Sequence, residues 1–281
     1  MTLDLDHLRQ WIGREDRTEG VIEPDLVLRF NATFNDPAPF KPGAPAPRLI
    51  HWCIGQPAVA TAVLDKDGHP QRGGFLPPVP LPRRMWASGE VTFDGDLTVG
   101  ETLTRRSKIK AISAKDGRMG RLVFVTINHE VFCAKRRVIR ERQDIVYRGE
   151  TRTAPSSDNS MAQPKPAATV PITEPLLFRY SALTFNAHRI HYDRPYATQT
   201  EGYPGLVVNG PLQATLLYRL AAETLGQPPQ VFSFRGHAPL FDGADMGLHV
   251  ERRSEATHLW TSQTGIGVGM EATAGSRNVV S

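Results

Sequence analysis

The sequence predicts an α+β fold in two halves, built mainly from antiparallel strands with few helices. The first observation is the stretch Thr151–Pro171, which is rich in proline, serine, threonine and alanine and lacks apolar periodicity, so that it predicts a flexible linker. It separates halves of about 150 and 110 residues, each of ordinary domain size. The second observation is one strongly amphipathic helix in the C-terminal half, and the third is the meander of strand-like runs that follows it.

The N-terminal half opens with two predicted helices, over Asp4–Ile12 and Leu26–Asn35. Four prolines make FLPPVPLPRRMWASG a stiff loop, because proline fixes φ and removes a hydrogen-bond donor. Three strand-like runs follow: MWASGEVTFDG, TLTRRSKIKAISAKDG and GRLVFVTINHEVFCA. Asp116-Gly117, between the last two, is a turn signal that predicts a hairpin.

The C-terminal half contains the helix GPLQATLLYRLAAETLG, with leucines at helical spacing. Pro211 suits its first turn and Gly226 its end. Four short strands with glycine turns come next: VFSFRGHAPLF, GLHVERRS, HLWTSQTG and GVGMEATAG. This order predicts a sheet wrapped round one helix.

Composition narrows the function class. The chain has 281 residues and a net charge of +4, and its densest basic patches, Arg105–Lys110 and Lys135–Arg142, favour solvated strand faces over a nucleic-acid surface or a site for a phosphorylated cofactor. Cys53 and Cys133 have no motif partners, which argues against a disulfide scaffold or a zinc–thiolate site. Without a signal-peptide pattern or a long apolar run, we expect a cytoplasmic protein with no membrane or nucleic-acid partner.

The segment SALTFNAHRIHYDRPYA concentrates polar groups that can do chemistry: Asn186, His188, His191 and Asp193. A metal site is disfavoured, because only Asp193 offers a third ligand and Arg189 adds positive charge. Buried structural histidines are an open alternative, although buried polar groups need partners. Acid–base chemistry fits best, since histidine titrates near neutral pH and can take and return a proton.

Asn209-Gly210 follows the histidine segment and begins the long helix. The first backbone N–H groups of a helix are unpaired and lie at the positive end of its dipole, which suits a developing enolate oxygen. Asn186 has an amide that could hold a water molecule. Together these residues predict proton chemistry beside a thioester carbonyl.

These residues resemble the signature of MaoC-like hydratases and dehydratases, S/T-G-D-x-N-P-x-H followed later by G-x-x-x-H-G. Asn186 takes the place of the catalytic aspartate and His191 that of the catalytic histidine. The remaining correspondences are His188 at the asparagine, Arg189 at the proline, Asn209-Gly210 at the His-Gly, and Arg235-Gly236 at an Arg-Phe on a later strand.

Within that group, Phe178–Gln213 resembles the branch of type 2 hydroxyacyl-thioester dehydratases and mesaconyl- and itaconyl-CoA hydratases, and the N-terminal half resembles a fatty-acid-synthase-type dehydratase domain. The resemblance implies a double hot dog: two antiparallel sheets, each wrapped round a central helix, forming a pseudo-dimer. Residues 1–150 would be the non-catalytic hot dog, 151–171 the linker and 172–281 the catalytic hot dog. A homodimer is also expected.

The resemblance implies hydration of an α,β-unsaturated acyl-CoA, with mesaconyl-CoA or itaconyl-CoA giving citramalyl-CoA. His191 would be the base and acid, Asn186 would hold water, and Gly210 with Asn209 would bind the thioester oxygen. The alternatives are a 3-hydroxyacyl-thioester dehydratase, a non-catalytic acyl-CoA-binding protein and a thioesterase. No metal or cofactor is expected beyond the coenzyme A of the substrate.

Supporting roles are expected for six further residues. Asp193 and His188 would help to orient His191. Gly236 would widen the acyl pocket because it replaces a phenylalanine. Arg189, Arg194 and Arg235 are candidates to bind a substrate carboxylate, with structural ion pairs as the alternative.

Overall fold

The computed structural model describes residues 3–38, 40–117, 120–149, 163–253 and 256–276. The chain forms two compact units. Unit 1 comprises Met1–Met85, Phe93–Glu150 and Arg179–His188, and unit 2 comprises Trp86–Thr92, Thr151–Phe178 and Arg189–Ser281. Each unit takes short stretches from both halves of the chain. The division at 1–150 and 172–281 therefore stays a prediction about domains.

The helices, in chain order, are α1 (Leu5–Arg9), α2 (Pro24–Thr33), α3 (Glu174–Leu183) and α4 (Gly210–Leu225). The strands are β1 (Glu15–Val21), β2 (Arg83–Phe93), β3 (Thr102–Gly117), β4 (Gly120–Cys133), β5 (Arg136–Arg148), β6 (Ala168–Pro171), β7 (Val231–Gly236), β8 (Asp245–Arg252), β9 (Thr257–Gln263) and β10 (Gly267–Gly275). None of the described helices is both long enough and apolar enough to cross a membrane.

Unit 1 is built on an antiparallel sheet of order β1-β3-β4-β5. The predicted hairpin is confirmed, because Gly117 lies opposite Gly120 in the β3–β4 ladder. Alternate residues of β3 and β4 are buried, as the period of a strand with one solvated face requires. Ile109, Val125 and Tyr147 belong to the apolar core on the buried side.

Unit 2 is built on an antiparallel sheet of order β2-β7-β10-β9-β8-β6, and α4 packs against strands β7 to β10. The inward face of α4 is apolar, with Leu212 and Leu217 fully buried. Gly226 ends the helix in the left-handed region, with φ +71°, where a side chain would be strained. The predicted helix surrounded by a sheet is therefore confirmed for this unit.

The N-terminal half differs from the C-terminal half in the stretch between α2 and β2. Between α2 and β2 the described residues contain only short 3₁₀ turns, at Ile50–Cys53 and Thr61–Val63. Prolines and glycines crowd this stretch and do not permit a long helix. Within the described residues this half therefore has short helical turns where the C-terminal half has α4.

The sequence interpretation also missed β1, β6 and α3, and it indicated only the first part of β5, Lys135–Arg142, as a strand face. Strand β6 occupies Ala168–Pro171, at the end of the predicted linker, and pairs with β8. The linker residues 151–162 lie outside the described residues. Strand β1 lies at the edge of the sheet beside β3. Its residues alternate between exposed and half-buried, so it has no buried apolar stripe.

The chain repeats a helix-and-turn unit at a constant spacing of 150 residues, so that Asp36 corresponds to Asn186. The N–H of Asp36 donates to the Asn31 carbonyl (2.9 Å), as that of Asn186 does to the Ser181 carbonyl (2.8 Å). The Asp36 side chain accepts the Ala38 N–H (2.9 Å), and the Asn186 side chain accepts the His188 N–H (3.1 Å). Two halves of common design follow, but Lys41 stands at the N-terminal position that corresponds to His191.

Candidate functional site

His191 ends a 3₁₀ turn, Arg189–His191, in unit 2 and is only 7% exposed. Its Nδ1 lies 2.7 Å from the carbonyl oxygen of Val207. Because a carbonyl can only accept, Nδ1 of the neutral ring carries the proton and Nε2 is the basic nitrogen. Val207 is bound to the histidine turn a second time, since its N–H donates to the Ile190 carbonyl (2.9 Å).

The start of α4 lies close to this histidine. Gly210 is the first residue of the helix and follows Val207 by three positions, a span of at most ~11 Å. Asn209 precedes it and is 1% exposed. Gly210 lies against Trp86, because a Cβ placed on it would be 2.9 Å from Cε3 of that ring. The structure therefore brings together His191, Asn209 and Gly210, and the roles expected of them stay predictions.

Trp86 is the platform under this helix start. Its ring stacks on Phe234 with centroids 4.2 Å apart. Only glycine allows the helix backbone to approach the indole this closely. The approach fixes where the first N–H groups of α4 lie.

Asn186 belongs to unit 1, and its side chain also has a structural role. Its Oδ1 closes the turn after α3 by accepting the His188 N–H, and Phe185 before it adopts φ +47°. The oxygen of the amide is thus engaged in a local turn. The Nδ2 amino group is the part of Asn186 that can donate to a water oxygen.

His188 packs on a pair of residues that sequence reasoning did not single out, Asp67 and His69. The rings of His69 and His188 are 4.1 Å apart between centroids. Oδ2 of Asp67 lies 2.9 Å from Nδ1 of His69, and Oδ1 accepts the His69 N–H (2.9 Å). The only sequence signal is an aspartate two residues before a histidine in DKDGHP, a pattern too common to predict a site.

Electrostatics fix the protonation of this pair. Burial acts to raise the pKa of Asp67, but the hydrogen bonds and charge of His69 hold that pKa well below its usual range. Burial, followed by the positive charge of Arg84, lowers the pKa of His69 to about 4. At neutral pH the pair is therefore a carboxylate and a neutral imidazole.

The ligand atoms of Asp67, His69 and His188 lie within 4.8 Å of one another, and their types suit a metal ion. Two features oppose a cation here. Both oxygens of Asp67 already accept hydrogen bonds from His69. Arg84 and Arg72 add positive charge, which lowers the pKa of His69 and would repel a metal.

Asp193 does not play the orienting role expected from the sequence. Its Oδ2 accepts bonds from Arg189, at 2.9 Å from Nε and 2.7 Å from Nη2, and its Oδ1 accepts the Tyr196 N–H (3.1 Å). Val207 holds Nδ1 of His191 instead. Asp193 thus stabilises the segment after His191.

Two of the three arginines expected to bind a carboxylate are in structural ion pairs. Arg189 pairs with Asp193 and lies over the Tyr196 ring. Arg194 pairs with Glu174 and with the buried Asp242. Arg235 is exposed near the end of β7.

Gly236, next to Arg235, is exposed and pairs with Met270 in the β7–β10 ladder. A Cβ there would make only ordinary contact, 3.6 Å from the Ala87 carbonyl oxygen. Glycine is not required at this position by the backbone. Its expected role in widening the acyl pocket stays a prediction.

Comparison with known proteins agrees with these features. The family model for hydroxyacyl-thioester dehydratase type 2 matches residues 49–242. The chain is 45% identical over 242 residues to the mesaconyl-C(4)-CoA hydratase of Chloroflexus aurantiacus, covering 85% of this chain and 86% of that protein. It is 28% identical over 237 residues to the mitochondrial hydroxyacyl-thioester dehydratase type 2 of Schizosaccharomyces pombe, covering 75% and 78% of the two chains.

Solved structures establish the fold. HtdX of Mycobacterium tuberculosis matches with a TM-score of 0.68 at 20% identity, over 93% of this chain and 99% of its own. A second M. tuberculosis protein, described as having a double hot-dog fold, matches with a TM-score of 0.60 at 12% identity, over 94% and 95% of the two chains. The chain therefore belongs to the hydroxyacyl-thioester dehydratase type 2 family, has the double hot-dog fold of MaoC-like dehydratases, and is a hydro-lyase of the hydratase/dehydratase class.

Proposed function

We propose that the enzyme hydrates mesaconyl-C4-CoA to citramalyl-CoA. The strongest support from the site is the tautomer of His191, because the Val207 carbonyl leaves Nε2 as the base that hydration requires. The substrate follows from the 45% identity to mesaconyl-C(4)-CoA hydratase. A cytoplasmic location and a homodimer are further predictions from the sequence.

Hydration of a conjugated thioester adds hydroxide to Cβ and a proton to Cα. In the proposed mechanism Nε2 of His191 takes a proton from water as its oxygen bonds to Cβ. The electrons of the double bond move onto the thioester oxygen, which the Gly210 N–H at the start of α4 stabilises. The imidazolium of His191 then returns the proton to Cα, so that water is added overall and the base is regenerated.

Asn186 would hold the water through its Nδ2 amino group. An amide cannot act as a base in this reaction, so the proton transfers fall to His191 alone. This assignment differs from a mechanism in which a carboxylate and a histidine share the water.

A second candidate is dehydration of 3-hydroxyacyl thioesters, which is the same chemistry in reverse and is favoured by the family match. A thioesterase is disfavoured. Glu223 is the sole carboxylate of α4, and it lies in the last turn, far from Gly210. The buried polar residue nearer the start, Gln213, accepts a hydrogen bond from Thr261 (2.7 Å).

One assay separates these functions. The protein is incubated in turn with mesaconyl-C4-CoA, crotonyl-CoA and itaconyl-CoA, while the conjugated enoyl absorbance and free thiol are followed. Loss of absorbance without thiol, fastest for mesaconyl-C4-CoA, is the expected result. Faster loss with crotonyl-CoA would favour the dehydratase of unbranched chains, and release of thiol would indicate a thioesterase. No reaction with any of the three would contradict the proposal.

A further inference from the structure

The carbonyl that holds His191 lies in a short segment of unit 2, residues 206–208, which we call the Val207 segment. All three of its residues are buried. Val207 binds the histidine turn through both of its backbone groups, since its carbonyl oxygen lies 2.7 Å from Nδ1 of His191 and its N–H donates to the Ile190 carbonyl (2.9 Å). Any movement of this segment therefore moves the acceptor of His191.

The loop after β7 also holds the Val207 segment. Val207 forms an antiparallel bridge with Phe241. Backbone hydrogen bonds on both sides of that bridge join the segment to residues 240–242, and one of them runs from the Asp242 N–H to the Leu206 carbonyl (3.0 Å). Because residues of any type can form such bonds, they do not single out a side chain.

The side chain of Asp242 adds a bond that depends on its own chemistry. Its Oδ1 accepts the Leu206 N–H (2.8 Å), and its Oδ2 pairs with the guanidinium of Arg194. The carboxylate is only 4% exposed. Gly205 permits this approach, because a Cβ on it would lie 2.5 Å from Oδ1 of Asp242. One buried carboxylate thus joins the Val207 segment to Arg194, three residues after His191.

This chain of bonds can do for a histidine base what a directly bonded carboxylate does elsewhere. A histidine base needs one ring tautomer and one ring orientation, and an acceptor at Nδ1 sets both. The bond to that acceptor also strengthens when the ring takes up a proton, because imidazolium is the better donor, and this favours the protonated form. A backbone carbonyl serves in this way only if its segment is held in place.

We propose that Asp242 is a positioning residue for hydration, which acts through Leu206 and the Val207 carbonyl to fix the tautomer and orientation of His191. This inference rests on the proposed function, because it needs His191 as the base. Every residue in the chain of bonds belongs to unit 2. Asp193, which is much nearer to His191 in the sequence, binds Arg189 instead.

The test compares four variants with wild type. Asp242→Ala removes both bonds of the carboxylate, whereas Asp242→Asn keeps an oxygen that can accept the Leu206 N–H. Gly205→Ala leaves Asp242 in the chain and pushes its Oδ1 away from that N–H. Asp245→Ala, which removes an exposed aspartate three residues further along, is the matched control. kcat and KM for mesaconyl-C4-CoA are measured from about pH 5 to about pH 9, at a temperature at which every variant is folded.

Asp242→Ala is expected to lower kcat by about 10- to 100-fold, the scale of losing a residue that orients a functional histidine. KM should stay within about threefold, because no substrate contact is removed. The acid limb of kcat/KM should move to lower pH by about 0.5–1 unit, since the ring is harder to protonate without its acceptor and stays a base in more acid solution. Gly205→Ala should move the limb in the same direction, Asp242→Asn should keep most of the activity, and Asp245→Ala should match wild type.

A second readout does not depend on turnover. In protein with ¹⁵N-labelled histidine, the ring signals of His191 are identified by their loss in His191→Ala, and their shifts report which nitrogen carries the proton. Wild type should show the Nδ1–H form of the neutral ring, and Asp242→Ala should show a mixture of the two tautomers. If Asp242→Ala fails to fold, the pH profile and ring signals of Gly205→Ala still decide.

Three outcomes would overturn the inference. An unchanged tautomer and an unchanged acid limb in Asp242→Ala and Gly205→Ala would separate Asp242 from His191. A raised KM with unchanged kcat would assign the Asp242–Arg194 pair to substrate binding, and a lower unfolding midpoint with an unmoved acid limb would assign it to the fold alone. Failure of wild type to hydrate mesaconyl-C4-CoA would instead contradict the proposed function, while the ring signals would still report how His191 is held, so the two failures are distinguishable.

Discussion

Asn186 occupies the position at which the MaoC-like signature has a catalytic aspartate. The structure shows that its side chain also closes a turn. Asp36 closes the corresponding turn 150 residues earlier with the same bond. The oxygen at this position is therefore needed for local structure in both halves. The change from carboxylate to amide preserves the turn and alters only what the second polar atom can do, from accepting to donating.

We expect Asn186→Asp to retain more activity than Asn186→Ala, which should lose ~10²-fold in kcat because water is no longer held. Asp36→Ala is the matched control, since it removes the same turn bond where no catalytic histidine follows. Both alanine variants should lower the midpoint of thermal unfolding, but Asp36→Ala should keep its kcat. Equal activity of Asn186→Ala and wild type would remove the water-holding role.

His191→Ala should abolish hydration while the protein still binds acyl-CoA. His191 is the proposed proton carrier, and general acid–base groups contribute ~10²–10⁴-fold to rate. Turnover and calorimetric binding are measured together, with His237→Ala as a control, because His237 is partly exposed and paired with Glu271. A variant that keeps more than about a tenth of wild-type kcat would exclude His191 as the base.

Helix α4 has different requirements at its two ends. At its start Gly210 permits close approach to Trp86, with a Cβ position only 2.9 Å from the ring. At its end Gly226 supplies a left-handed residue with open space around it. Gly210 is needed for close packing at the site, and Gly226 is needed for its backbone conformation.

Gly210→Ala is therefore expected to displace the helix start and lower kcat by ~10²-fold, the effect of losing one oxyanion donor. Gly226→Ala should instead cost ~1 kcal/mol in the free energy of unfolding, with kcat unchanged. Activity and urea unfolding are measured for both variants. If Gly210→Ala were fully active, the Gly210 N–H would not be the oxyanion donor, unless Trp86 had moved to make room for the new methyl group without affecting the site.

At the scale of the molecule, the sequence predicted elements whose cause is local. The hairpin at Asp116-Gly117, the strands around it, α4 and its glycine stop all follow from turn chemistry and apolar periodicity. His191, Asn209 and Gly210 could be placed together because they lie on one short stretch before and into α4. Strand β1 could not, because an edge strand with no apolar face has no periodic signal.

The contacts that the sequence did not predict join residues far apart in the chain. Asp67 and His69 meet His188 across more than a hundred residues. The carbonyl of Val207, a backbone atom, holds His191 in place of Asp193, and backbone acceptors cannot be identified from residue types.

The core of unit 1 contains a charged network that also requires the whole fold. Glu141 is buried, and its Oε2 lies 3.1 Å from Nε2 of His51 while its Oε1 accepts the Trp52 N–H (3.0 Å). Burial acts to raise the pKa of Glu141, but the bonds to His51 and Trp52 and the charges of His51 and His129 hold that pKa below 4.5. The carboxylate is thus ionised in the folded state.

A lowered folded-state pKa stabilises the protein above the unfolded-state pKa of 4.5, and that stability is lost as pH falls through the folded-state pKa. Glu141→Gln removes the charge at nearly constant shape and leaves His51 with a weaker acceptor. We expect this variant to be less stable at pH 7 by ~3 kcal/mol, the scale for breaking a buried pair, or roughly 6–12 °C in unfolding midpoint. The gap should narrow as pH falls from 4.5 towards the lowered folded-state pKa, at which the wild-type carboxyl also becomes neutral. Unfolding midpoints of both proteins from pH 7 to well below pH 4.5 test this, with Glu130→Gln as a control whose ion pair with Arg137 should contribute little. A gap that stayed constant or widened in acid would show that Glu141 is not the ionised member of the network.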